Sequence, residues 1–141
     1  MVCLNYEIEL SSSARTDIFD VTEEVQKVVL QSGLKKGLVT VHTPGSTAAV
    51  TTIEYESGAL SDFTRVLENL APVDGEYAHN ARWGDGNGYS HVRAALLGPS
   101  LCVPVKDGGA LLGAWQQIIV LDFDNRPRKR RVIIQVLGER G

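Results

Sequence analysis

The stretch GAWQQIIVLDF, Gly113 to Phe123, decides the fold. Its run from Ile118 to Phe123 carries a single charge and is too apolar for a strand with one wet face. It reads as a strand covered on both sides, by a helix, a second sheet or a neighbouring subunit. Around it, SLCVPV (100–105), LLGAWQQIIVLDFD (111–124) and RVIIQVLGE (131–139) are predicted strands. Turn residues at KDGG and DNRPR join them, which predicts an antiparallel C-terminal meander.

Toward the N-terminus, LNYEIELSS alternates Leu4, Tyr6, Ile8 and Leu10 with polar residues, the period of a half-buried strand over 3–10. DVTEEVQKVVLQSG follows, with Asp20 as N-cap, Glu23 three residues on, and Gly33 as the stop. Val21, Val25, Val28 and Val29 make one apolar stripe, so this is an amphipathic helix docking on a sheet. GLVTVHTP and TAAVTTIEYE are β-rich segments parted by Pro44-Gly45, either a hairpin or strands with other neighbours. SGALSDFTRVLENLAP places Leu60, Phe63, Val66, Leu67 and Leu70 at helical spacing and predicts the second helix.

Residues 72–90 show no sustained period and predict a long loop, a feature that tends to be functional. HVRAALLG then reads as a short helix, with a strand as the alternative. The expected class is α+β, one domain over 1–141, with a mainly antiparallel sheet and two main helices.

Composition narrows the function. Across 141 residues, 43% hydrophobic and 22% charged residues describe an ordinary globular chain. No apolar run approaches the roughly 20 residues of a membrane span, and the N-terminus lacks the pattern of a secretory signal, which makes the cytoplasm the expected location. Cys3 and Cys102 match no metal or redox spacing and are expected to be free, buried thiols. A net charge of −3 removes the broad attraction on which nucleic-acid binding leans.

The densest functional candidate is WGDGNGYSH, Trp83 to His91. Counted from Asp85, the calcium-loop pattern fails, and neither nucleotide-loop glycine pattern is present. Two readings stay open: turn chemistry, which Asp-Gly and Asn-Gly favour, and a backbone cradle for a phosphate at a helix start. The chain has three histidines, His42, His79 and His91, each explicable as an ordinary hydrogen-bonded or exposed side chain. Converging, they would suit zinc or a similar divalent ion with an open position. Glu54 and Asp85 would then serve as a fourth ligand, as hydrogen-bond partners that orient a ligating histidine, or as a general base. The run RPRKRR (126–131) reads as a charge-paired hairpin turn or as one or two arginines on a phosphate, with strand alternation dividing its side chains between faces.

Taken together, HTPGSTAAVTTIEYE, YAHNARWGDGNGYSHVRAALLGPSL and VPVKDGGALLGAWQQIIVLDFDNRPRKRRVIIQV resemble the YjbQ-like family, also described as secondary thiamine-phosphate synthases. The resemblance spans nearly the whole chain. It implies a β-sandwich-like core, a homotrimer with sites at subunit boundaries, and a phosphorylated small-molecule substrate. It also implies thiamine phosphate formation from hydroxymethylpyrimidine diphosphate and thiazole phosphate. His42, Glu54, His79, Asp85, Asn87, His91, Ser100, Trp115, Gln116 and Arg128 fall on the matching motif positions.

In the resulting assignment His42, His79 and His91 hold a divalent metal. Glu54 and Asp85 are catalytic, and Asn87, Ser100, Gln116 and Arg128 bind phosphate. Zinc fits the histidines, whereas magnesium on carboxylates is the more usual device for diphosphate chemistry. A metal-assisted hydrolase and a non-catalytic trimer that captures a metal or phosphometabolite are the alternatives. Many relatives read GDGNAHAHLKA, with His and Lys where this chain has Tyr89 and Arg93.

Overall fold

Alternation governs the first strand of the computed structural model, which describes residues 1–141. In chain order the elements are β1 (Val2–Ser11), β2 (Asp17–Asp20), α1 (Thr22–Ser32), β3 (Leu34–His42), β4 (Ala48–Ile53), α2 (Ser57–Leu70), α3 (Ala78–Trp83), α4 (Gly88–Leu97), β5 (Ser100–Lys106), β6 (Gly109–Ala110), β7 (Gln117–Asp122) and β8 (Lys129–Arg140). They build two antiparallel sheets, β1-β8-β3-β5-β6 and β2-β7-β4. The α+β class holds. No helix is long and apolar enough to cross a membrane.

The decisive strand is β7, central in the smaller sheet. Ile118 and Val120 face the main core with Val39 and Val41 of β3, Val132, Ile134 and Val136 of β8, and the α1 stripe of Val21, Val25, Val28 and Val29. Ile119, Leu121 and the following Phe123 face the other way, onto Leu67 of α2 and Ala94 of α4. Both faces are therefore covered within the chain, and no second subunit is needed to explain β7. Trp115 lies before the strand and is 76% exposed.

Three predictions are corrected. The C-terminal meander does not form: β5 pairs with β3, β7 crosses to the other sheet, and β8 inserts between β1 and β3. Turn residues mark where a chain reverses but not which sheet receives the next strand. Val21, not Asp20, holds the N-cap position of α1; the Asp20 carboxylate accepts from the Thr22 N–H at 3.0 Å and its hydroxyl at 2.6 Å. The start of α1 is tied instead to β7, through Val21 N–H to Ile118 O at 2.9 Å and Ile118 N–H to Thr22 Oγ1 at 2.8 Å. Cys3 and Cys102 are free but exposed, since both fall on the outward phase of their strands.

β3 and β4 do not make a hairpin; they belong to different sheets. The expected loop contains α3, whose six residues are too few to show a helical period, and HVRAALLG belongs to α4. At the head of α2, Glu56 caps with its carboxylate, accepting from the N–H groups of Gly58 and Ala59 at 2.5 and 2.9 Å. These bonds, Gly58 first, hold its carboxyl below the usual range.

Candidate functional site

The end of the sandwich where β3 leaves, α4 begins and β7 turns into β8 encloses a chamber of about 470 Å³. Pro44, Gly45, Ser46 and Thr47 form one wall; His79, Asp85, Asn87 and His91 form another; Arg126, Arg128 and Arg130 form the third. None of its lining residues is hydrophobic.

The glycines of WGDGNGYSH place the second wall. Gly84 ends α3 with φ +70 and Gly86 continues the turn at φ +69, backbone that other residues enter only at a cost. Gly88 starts α4 in tight contact, where an added Cβ would lie 2.6 Å from Tyr77 Cβ. Its N–H donates to Asn80 Oδ1 at 2.8 Å, so this amide is not offered to a ligand. What the turn presents are side chains. The His79 and His91 rings are 4.5 Å apart, and His79 Nδ1 is 3.3 Å from Asp85 Oδ1 without hydrogen-bond geometry. Asn87 is only 8% exposed; its Nδ2 donates to Asp124 Oδ1 at 3.3 Å, while its Oδ1 is buried without a partner.

Two buried carboxylates stand behind the arginines. Asp122 takes Arg130 through both oxygens, at 2.7 and 3.0 Å, and Arg130 Nη2 also donates to Thr47 Oγ1 at 2.6 Å. Asp124 takes Arg128 Nε at 2.8 Å and Nη2 at 2.7 Å. Burial raises the Asp124 pKa, but hydrogen bonds from Asn125 N–H, Asn87 and Arg128, with the Arg128 charge, outweigh it and leave its carboxyl below the usual value. The pairs fix the guanidinium planes and offset two of the three charges. Arg126 has no carboxylate partner and is exposed, and Arg128 keeps Nη1 free, so cationic donors remain directed at the space.

Of the residues expected at the site, His79, Asp85, Asn87, His91 and Arg128 come together. The others lie elsewhere. His42 and Ser100 sit on the outward face of the larger sheet, joined Nδ1 to Oγ at 2.5 Å. Glu54 lines a separate cleft with Asp20, Tyr55, Glu56, Ala114, Trp115 and Gln117. Gln116 secures a turn, accepting from Gly113 N–H at 3.0 Å and donating to Thr52 Oγ1 at 3.4 Å. Within one chain no three His, Cys, Asp or Glu side chains form a metal ligand set. Tyr89 is buried, its ring 5.1 Å from the Arg93 guanidinium, which donates to Glu68 at 2.7 Å and to Ala71 O at 2.9 Å. Tyr89 and Arg93, which stand where the relatives' motif has His and Lys, thus touch each other and lie outside the chamber lining.

Thr47 is missed by sequence reasoning, while Arg126 and Arg130 fall in the RPRKRR run read as a charge-paired turn or a phosphate clamp, with Asp122 and Asp124 as its acidic flanks. Asp122, Asp124, Arg126, Arg128 and Arg130 fall at every second position, but only Asp122 and Arg130 lie within strands, so the course of the connection, and not strand alternation, brings the three arginines to one side.

Fold and chamber define a two-sheet α+β protein with a polar, arginine-lined end cavity. The chain belongs to the YjbQ-like family: the model described as "UPF0047 protein YjbQ-like" matches residues 6–139. It is 42% identical over 133 residues to a UPF0047 protein of Methanothermobacter thermautotrophicus, covering 94% of this chain and 91% of that one. A UPF0047 protein of Archaeoglobus fulgidus is 40% identical over 131 residues, covering 93% and 99%. Among solved structures, a hypothetical protein from Aeropyrum pernix superposes with TM-score 0.89 at 31% identity, covering 96% of this chain and 99% of that one. A YbjQ-like protein of unknown function from Sulfolobus solfataricus gives 0.87 at 27%, covering 98% and 100%.

Proposed function

We propose that the chamber binds a phosphorylated small molecule and acts on it, with Arg126 and Arg128 on the phosphate oxygens and His79, Asp85 and His91 moving protons. The observation that carries this reading is a cavity walled by three arginines in which two polar atoms, His79 Nδ1 and Asn87 Oδ1, are buried without partners. Such groups are costly to leave unpaired; Asn87 Oδ1 only accepts, so a cation or a hydroxyl of the ligand, and not a phosphate oxygen, would satisfy it. Guanidinium groups held in fixed planes suit a phosphate and would stabilise charge as a phosphoryl or diphosphate group leaves. Formation of thiamine phosphate with loss of diphosphate is the specific turnover to assay; hydrolysis of a phosphate ester uses the same groups.

A divalent metal fits part of this arrangement. The 3.3 Å between His79 Nδ1 and Asp85 Oδ1 is close to the spacing of two ligands on one tetrahedral ion with bonds of roughly 2.0–2.1 Å. His79 and Asp85 would hold it, leaving His91 to move protons, and the ion would supply Lewis-acid stabilisation of phosphoryl oxygens. The third ligand must come from the substrate or from His42 of another copy, since His42 is not in the lining. The open outer face of the larger sheet, which carries His42, supports assembly of the chain with copies of itself.

Calorimetric titration with inorganic phosphate and pyrophosphate, with and without zinc or magnesium, tests the reading. Arg126→Ala is expected to weaken binding by about tenfold or more, as loss of a hydrogen bond to a charged group does. Absence of binding at millimolar concentrations overturns it. Turnover abolished in Asp85→Asn while pyrophosphate still binds marks an enzyme; binding with no turnover in the parent protein marks a capture module.

A further inference from the structure

We propose that the chamber's ligand has two parts, an oxyanion joined to one compact apolar group, and that the apolar part seats in a recess on the far side of His91. The proposal rests on the phosphate reading of the chamber and adds the substrate class. The recess is a cavity of about 210 Å³ walled by Ala48, Ala94, Ala95 and Pro99. It shares Gly45, Ser46 and His91 with the chamber, so the two spaces meet along these three residues.

The two spaces contrast in chemistry. The chamber has no hydrophobic lining residue, while the recess is walled by three alanine methyls and a proline ring. A hydroxylated or charged group entering the recess would lose water without gaining hydrogen bonds, whereas an apolar group gains by leaving water. The floor is fixed, because Ala48 and Ala94 are buried between β4 and α4. Its size is selective as well. A cavity of about 150 Å³ accepts one benzene ring, so at about 210 Å³ this recess has room for a single ring or a short branched chain.

His91 stands where the spaces meet. The bond joining the anionic and apolar parts of a ligand seated in both would lie beside its imidazole, and Gly45 and Ser46 flank the same junction. Gly45 also has φ +150 and leaves room for Arg130 Nη1, which would stand 3.1 Å from an added Cβ.

The test compares dissociation constants for inorganic phosphate, glycerol phosphate and phenyl phosphate, in the parent protein and in Ala95→Leu. Ala95 is exposed, so the substitution fills the recess without disturbing the core, and circular dichroism verifies the fold. Phenyl phosphate is expected to bind at least about tenfold tighter than the other two, equivalent to roughly 1.4 kcal/mol. Ala95→Leu is expected to bring the phenyl-to-inorganic ratio close to one. Inorganic phosphate binding with no gain for phenyl phosphate, or a gain that survives Ala95→Leu, overturns the two-part ligand alone. Failure of all three probes to bind the parent protein overturns the phosphate reading with it.

Discussion

Arg126 and Arg130 reach the same chamber with different obligations. Arg130 is buried against Asp122 and Thr47, so Arg130→Met leaves the Asp122 carboxylate in the interior without its counter-ion. Loss of one partner of a buried pair costs about 3–5 kcal/mol. Arg126 is exposed without a carboxylate partner, and Arg126→Ala should change stability by less than about 0.5 kcal/mol. Urea unfolding midpoints should therefore separate the two substitutions, while phosphate titration should show both weakened. Asp124 adds a pH dependence. Its native pKa lies below an unfolded value near about 3.9, so its carboxylate stabilises the fold above that pH, and the contribution is lost as pH falls through the native value. Asp124→Asn is expected to lower the urea midpoint at pH 7 and to flatten the acid-side decline; an unchanged acid limb argues against this assignment. The arginines were legible as a charge-paired cluster with Asp122 and Asp124 beside it. Which carboxylate takes which arginine, and that Arg130 is buried, was not legible, because residues 123–128 lie outside the strands and their pairing depends on the fold.

Elements built on long periodic runs were legible: β1, the α1 stripe, α2, and β7 as a strand buried on both faces. Each exposes its period over several residues, and burial enforces it. β2, with four residues, and α3, with six, are too short to reveal a period, and α3 has no buried side chain. Strand order was not legible, because the pairing of β8 between β1 and β3 depends on contacts more than 90 positions apart. The turn between α3 and α4 was read as glycine-rich for turn formation, which is half of the account. Gly84 and Gly86 need positive φ, but Gly88 is set by contact with this chain's Tyr77, whose Cβ and Cγ would lie 2.6 and 2.8 Å from an added Cβ, even though the relatives' motif has Ala at this position. Gly84→Ala meets open space and should cost about 1–2 kcal/mol through backbone strain alone. Gly88→Ala forces α4 off Tyr77, at about 1–3 kcal/mol for overpacking, and moves Asn87 and His91 with it. Phosphate affinity compared at matched stability distinguishes them: it should fall further in Gly88→Ala, and an equal fall in both would mean that the seating of α4 does not position the site.

At the scale of the molecule, the larger sheet has one face in the core and the other uncovered, since α1 packs on the inner side and α2 and α4 pack on the smaller sheet. The strand register aligns Cys3, Leu137, Leu38 and Pro104 in one row across β1, β8, β3 and β5, all exposed. Other rows of this face are polar, with Asn5, Glu7, Glu9, Arg131 and Gln135 outward, so this apolar row is where association with further copies is to be tested. His42 and Ser100 lie on the same face, two pairing steps of two residues further along, opposite Ile133. Copies meeting through this face would carry His42 into an interface, which is the only route by which it could join a site with His79 and His91. Light scattering is expected to give three times the 15.3 kDa chain mass, as the family resemblance implies. The double substitution Leu38→Glu, Leu137→Lys places an ion pair across β3 and β8, which keeps the sheet while charging this face, and should give a folded single chain. A parent protein that scatters as one chain, or a double variant that keeps the parent mass, removes this face as the interface. The dissociated variant then decides the role of His42: if zinc affinity falls to the level of His42→Ala in the intact assembly, the third ligand comes from a neighbouring copy, and if it holds, the ion rests on His79 and Asp85 with a ligand from the bound phosphate.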